Sequence, residues 1–139
     1  MRAALEVAPT EAGRARRVTP VVCEERFNAL MSALGAARLQ SLAGDLDARL
    51  AGLLGAVAQD VDPRDALIRR THRDRGAAGT LGLLALAEAL EHLERRLAQD
   101  GDVEPVVTEV RQAHGLASVA LARALDAASP DQAAALPSR

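Results

Sequence analysis

At 139 residues the chain has the length of one domain with tails, enough to bury a core without disulfides or metal. Hydrophobic residues make up 49% of it, Phe27 is the one aromatic, and Ala and Leu abound, a composition that favours helix over sheet. A formal charge of -2 without stacking aromatics argues against a nucleic-acid partner, and charged residues interrupt every apolar run before the roughly 18 positions a membrane span requires.

All 17 basic residues are arginine. A single cysteine, Cys23, excludes an internal disulfide, and no CxxC or Cys/His spacing suggests a metal site. Glu6 and Glu11 interrupt the N-terminal segment, which therefore does not read as a secretory signal. A soluble, cytoplasmic, monomeric protein is expected.

Residues 1–20 show no sustained period and read as a flexible tail, with Arg14, Arg16 and Arg17 as a solvated basic cluster. Phe27, Leu30, Met31 and Leu34 follow helical spacing and predict a short helix over 24–34, ended by Gly35. Leu39, Leu42, Leu46, Leu50, Leu53 and Val57 form one stripe of a long helix over 36–59. Asp62 offers an N-cap acceptor, Pro63 suits a first helical position, and Asp65 complements the dipole, so a third helix starts near Pro63 and runs to about Gly82.

After a tight turn there, Leu86, Leu90, Leu93 and Leu97 mark a fourth helix. Glu88, Glu91, Glu94, Arg95 and Arg96 lie outside its stripe, and His92 among them reads as a surface residue. Asp100-Gly101-Asp102 closes that helix and caps the last, whose stripe is Val103, Val106, Val110, Ala117, Leu121 and Leu125. Ser129-Pro130 marks a frayed end, which leaves a domain over 21–128 and a flexible tail over 129–139. Four helices of about 20 residues with short connections predict an all-α fold, an antiparallel up-down four-helix bundle with the short first helix capping one end.

The chemistry-bearing stretch is THRDRGAAGTLGL, from Thr71 to Leu83. At 100° per residue, Arg75, Gly76 and Gly79 lie within about 60° of His72. Each interior glycine costs a helix about 1 kcal/mol relative to alanine. The two glycines lie where a side chain would crowd the imidazole, so they point to a molecule approaching His72 closely. Asp74, about 200° from His72, falls beside Leu67, Ala78 and Leu81 and would face the core, where an unpaired carboxylate is costly. Two partners are open to it. One is His114, on the apolar stripe of the last helix at about the same level; the other is Arg70, one turn before Asp74.

These residues resemble the histidine phosphotransfer (HPt) domain family, whose motif reads small residue, His, any residue, apolar, Lys, Gly, then small residues and another Gly. The likeness extends to the helix order from about Glu24 to Leu125, and it implies a bacterial phosphorelay. His72 would take a phosphoryl group from an aspartyl-phosphate on a response-regulator receiver domain and pass it on, with Arg75 stabilising the phosphoryl group and Gly76 giving access. Ile68, Arg69, Arg73 and Gly79 would meet the partner. Implied partners are receiver domains and a sensor or hybrid histidine kinase. The protein would be a phosphoryl carrier rather than an autonomous enzyme, with no cofactor of its own and Mg²⁺ on the receiver's carboxylates. Arg75 stands where the family has lysine, and Asp74 where it has an apolar residue. The alternative is a degenerate HPt-like module that binds a receiver or kinase without carrying phosphate.

Overall fold

The computed structural model describes residues 19–135, with side chains through residue 128. Residues 1–18, which include Arg14, Arg16 and Arg17, and residues 136–139 lie outside the described residues. The described chain is helical with no strand: α1 (Glu24–Leu34), α2 (Ala36–Gln59), α3 (Arg64–Thr80), α4 (Leu84–Gln99) and α5 (Glu104–Ala135). Among the described residues, no helix is long and apolar enough to cross a membrane.

The core is aliphatic, as an Ala/Leu chain with one aromatic must make it. Leu39, Leu46, Leu50 and Leu53 of α2, Leu67 of α3, Leu86, Leu90 and Leu93 of α4, and Val110 of α5 are almost wholly buried. Each fully buried leucine contributes about 2 kcal/mol of transfer free energy, so this leucine set is the main driving force. Leu42 departs from the expected stripe: it sits at the stripe's edge, exposed, and Leu54 is buried in addition. The principal neighbours of α3 are α4 and α2, while α5 packs on α4 and more lightly on α2.

Connections are short and chemically explicable. Gly35 (φ 86°) and Gly82 (φ 79°) take left-handed backbone at the α1–α2 and α3–α4 junctions. At Gly82 a Cβ would also come within 3.0 Å of the Arg26 side chain, because α1 starts against this turn: the Cys23 N–H donates to the Gly82 carbonyl at 2.8 Å. The Ala85 N–H donates to Pro20, and Thr19 Oγ1 to Glu88, which ties the chain before α1 to α4.

Two local expectations need correction, and a third holds. Pro63 precedes the first helical residue rather than occupying it, and Asp62 makes no cap; its carboxylate instead meets Arg70 Nη1 at 3.4 Å. Asp100-Gly101-Asp102 closes α4 and caps α5 as expected: Asp100 takes left-handed backbone at the end of α4, and Asp102 Oδ1 accepts the Glu104 N–H at 3.2 Å. Helical geometry in α5 continues to Ala135, beyond the expected boundary at Ser129-Pro130. Alanines on both sides of Pro130 favour helix strongly enough to carry it past the missing donor.

Candidate functional site

His72 projects from the middle of α3 with 61% of its side chain exposed. Its Nδ1 lies 3.1 Å from Oε2 and 3.4 Å from Oε1 of Glu94 on α4. Arg75, one turn along α3, places Nη2 3.3 Å from the same Nδ1 and Nη1 3.6 Å from Glu94 Oε1. Nδ1 thus faces an acceptor and a donor: hydrogen on Nδ1 bonds Glu94, whereas a lone pair there accepts from Arg75, and the shorter contact, to the carboxylate at 3.1 Å, favours hydrogen on Nδ1, with Arg75 then held by Glu94. The lone pair is then on Nε2, which has no hydrogen-bond partner among the described residues. In that tautomer the outward nitrogen carries the lone pair and the inward one is held by Glu94.

The helical wheel of α4 does not mark Glu94 as a neighbour of His72, since it is one of several polar residues off the leucine stripe. A signal does exist. His72 stands about ten residues before Gly82 and Glu94 about twelve after it, so a tight turn at Gly82 brings the two level across the hairpin.

The glycines behave differently from a simple crowding argument. A Cβ built on Gly76 or Gly79 meets nothing within 4 Å, so neither glycine is required by packing inside the chain, and a Cβ would not press on the imidazole. Only a longer side chain would cover His72. Gly76 is exposed and Gly79 half-buried, on the same face of α3 as His72. Arg69 and Arg73 are exposed, and Ile68 is half-buried at the floor of a groove of about 270 Å³ shared with Arg75, Glu91, Glu94, Arg95 and Ala98. The structure therefore gathers His72, Arg75, Gly76, Gly79 and Ile68 on one face, with Arg69 and Arg73 on its other side.

Asp74 is buried, as its position on α3 predicts, but neither expected partner holds it. Oδ1 accepts the Nε–H of Arg49 from α2 at 3.0 Å. His114 is absent from this pair because α5 packs on α4 and α2 rather than on α3; its Nε2 lies 2.6 Å from Asp47 Oδ1 on α2, and it is half-buried rather than in the core. Arg70 is absent because it turns toward Asp62. His92 is not simply solvated either: its Nδ1 sits 2.7 Å from Glu109 Oε2 on α5.

Among the described residues, no group of three or more His, Cys, Asp or Glu side chains is arranged to hold a metal ion. Comparison of the chain with protein-family models, with curated proteins and with solved structures finds no match.

Proposed function

We propose that the protein is a histidine phosphotransfer carrier in which Nε2 of His72 accepts a phosphoryl group from a receiver-domain aspartyl-phosphate and returns it to another receiver. The observation that carries this reading is the held imidazole: Nδ1 on Glu94, Nε2 free, and two glycines beside it that no internal contact requires.

The step balances without an external acid or base. The Nε2 lone pair attacks phosphorus, the aspartyl P–O bond breaks, and its electron pair leaves as the receiver's carboxylate. The ring then carries phosphorus on Nε2 and hydrogen on Nδ1 with a net positive charge, which faces the Glu94 carboxylate. Reversal releases the phosphoryl group to the next carboxylate. Because such transfer depends on positioning and charge stabilisation, this chain supplies the oriented ring, while Mg²⁺ belongs to the receiver. Arg75 reaches the phosphoryl oxygens only by leaving Glu94, since its guanidinium sits on the Nδ1 side of the ring; its long stem permits that move.

The fold proposed with this function is an antiparallel up-down four-helix bundle of α2 to α5, with α1 over the end where α3 turns into α4. Packing of α2 on α3, α3 on α4, α4 on α5 and α5 back on α2 supports the closed ring. A sensor or hybrid kinase upstream follows from the same reading. The degenerate docking alternative drew on Asp74, and that argument weakens where the carboxylate is paired inside an unbroken helix.

Incubation with phosphorylated receiver domains from the same organism tests the proposal. The expected result is an acid-labile, base-stable label on the protein that is absent from His72→Gln. Complex formation with a receiver and no label would favour the docking module.

A further inference from the structure

The two flanks of the His72 face differ in charge. On the α4 side, Arg75 and Arg95 are matched by Glu91 and Glu94, with Arg95 Nη2 2.8 Å from Glu91 Oε2. On the α2 side, a cleft of about 210 Å³ is lined by Ala48, Arg49, Gly52, Arg70, Arg73 and Asp74. Three guanidinium groups share it with one carboxylate, in a chain whose overall charge is negative.

That carboxylate does not quench the cleft. Asp74 is buried and engages only Nε of Arg49, which fixes the guanidinium plane and leaves both terminal nitrogens without a partner among the described residues. Arg70 meets Asp62 through Nη1 alone, at 3.4 Å. Arg73, next to His72 in sequence, pairs with no carboxylate among the described residues. Ala48 and Gly52 add no long side chain to its lining, and a Cβ on Gly52 would stand 3.4 Å from Arg70 Nη2. An open cleft with prealigned, unused guanidinium donors is suited to carboxylates, which guanidinium groups bind in a bidentate, planar fashion.

We infer that this cleft between α2 and α3 is a recognition site for an acidic segment of the protein that docks over His72, with Asp74 acting as the positioning residue for Arg49. The inference rests on the proposed docking at His72 and adds to it the chemistry of the partner's rim. It also gives the buried carboxylate on α3 a purpose that an apolar residue there would not serve.

The probe is a hexaglutamate peptide titrated into the full-length protein, with the arginine Nε–Hε resonances followed by NMR. Saturable shifts at Arg49, Arg70 and Arg73, with Arg95 and Arg96 unmoved, are expected. Arg73→Glu should weaken the apparent affinity about tenfold, Arg73→Lys should retain part of it, and added salt should weaken it throughout. Asp74→Leu, in a variant that keeps the wild-type spectrum elsewhere, should weaken binding although a negative charge has been removed. Equal shifts at Arg95 and Arg96 would overturn the inference in favour of general attraction. Saturation by inorganic phosphate at the same concentration as the peptide would overturn it in favour of a small-anion site. The peptide carries no phosphoryl group, so its binding is independent of phosphotransfer. Phosphorylation of His72 by phosphoramidate, a small donor that requires no docking, tests the chemistry of His72 separately.

Discussion

Asp74, with 4% of its side chain exposed, accepts a hydrogen bond from Arg49, whose own side chain is 41% exposed, at 3.0 Å. The pair is unequal, and its two halves respond differently to loss of the partner. Arg49→Ala leaves a carboxylate in the core without its cation and should cost about 3 kcal/mol. Asp74→Leu frees an arginine that can turn to solvent, and places an apolar residue beside Leu67 and Ala78. Its stability should stay within about 1 kcal/mol of wild type or rise. Urea unfolding followed by circular dichroism distinguishes the two, and equal losses would contradict the asymmetry.

Gly76 has open space where a Cβ would be, yet lies inside a helix. Gly76→Ala should therefore stabilise the isolated protein by about 1 kcal/mol, through helix propensity and a less flexible unfolded chain. A leucine at the same position should leave the fold intact and slow transfer to a receiver. Thermal unfolding of the alanine variant checks the first part. A lowered melting temperature would show a packing demand that the geometry lacks.

Glu94 holds Nδ1 of His72, so Glu94→Ala should release the ring to both tautomers and reduce the fraction with a free Nε2 lone pair. Phosphorylation of His72 by phosphoramidate should fall about tenfold, the scale on which partners of a functional imidazole act. Global stability should barely change, since the pair is partly solvated. Long-range ¹H–¹⁵N spectra report the tautomer directly. An unchanged tautomer ratio in the variant would remove Glu94 from the site.

His114→Leu should change stability by less than about 1 kcal/mol in either direction. The histidine is half-buried, its partner Asp47 is more than half exposed, and loss of the ring leaves that carboxylate in water. A loss of several kcal/mol would mean that His114 supports the core after all.

The helices were legible because their signals are local. Phe27 to Leu34 and Leu39 to Val57 carry unbroken apolar spacing, and Gly35 and Gly82 stand where left-handed backbone ends a helix. That His72, Arg75, Gly76 and Gly79 share one helix face was legible for the same reason, since all four lie on α3. The partners of polar side chains were not. Whether Asp74 meets Arg49, His114 or Arg70 depends on which helices are neighbours and on rotamers of long arginines, and neither is written in the spacing of one helix. Glu94 escaped a single-helix reading because its contact with His72 exists only across the α3–α4 hairpin. At Pro130 the alanine-rich flanks outweigh a single breaker, and α5 continues.

Nε2 of His72 is the proposed site of the phosphoryl group. Protein labelled with ¹⁵N-histidine, incubated with phosphorylated receiver domains of the same organism and examined for phosphorus–nitrogen coupling, tests it most directly. One new N–P bond is expected, at Nε2 of His72, lost in His72→Gln and restored to free imidazole when an unphosphorylated receiver is added. Phosphorus on His92 or His114, on Nδ1 of His72, or on no histidine at all would contradict it.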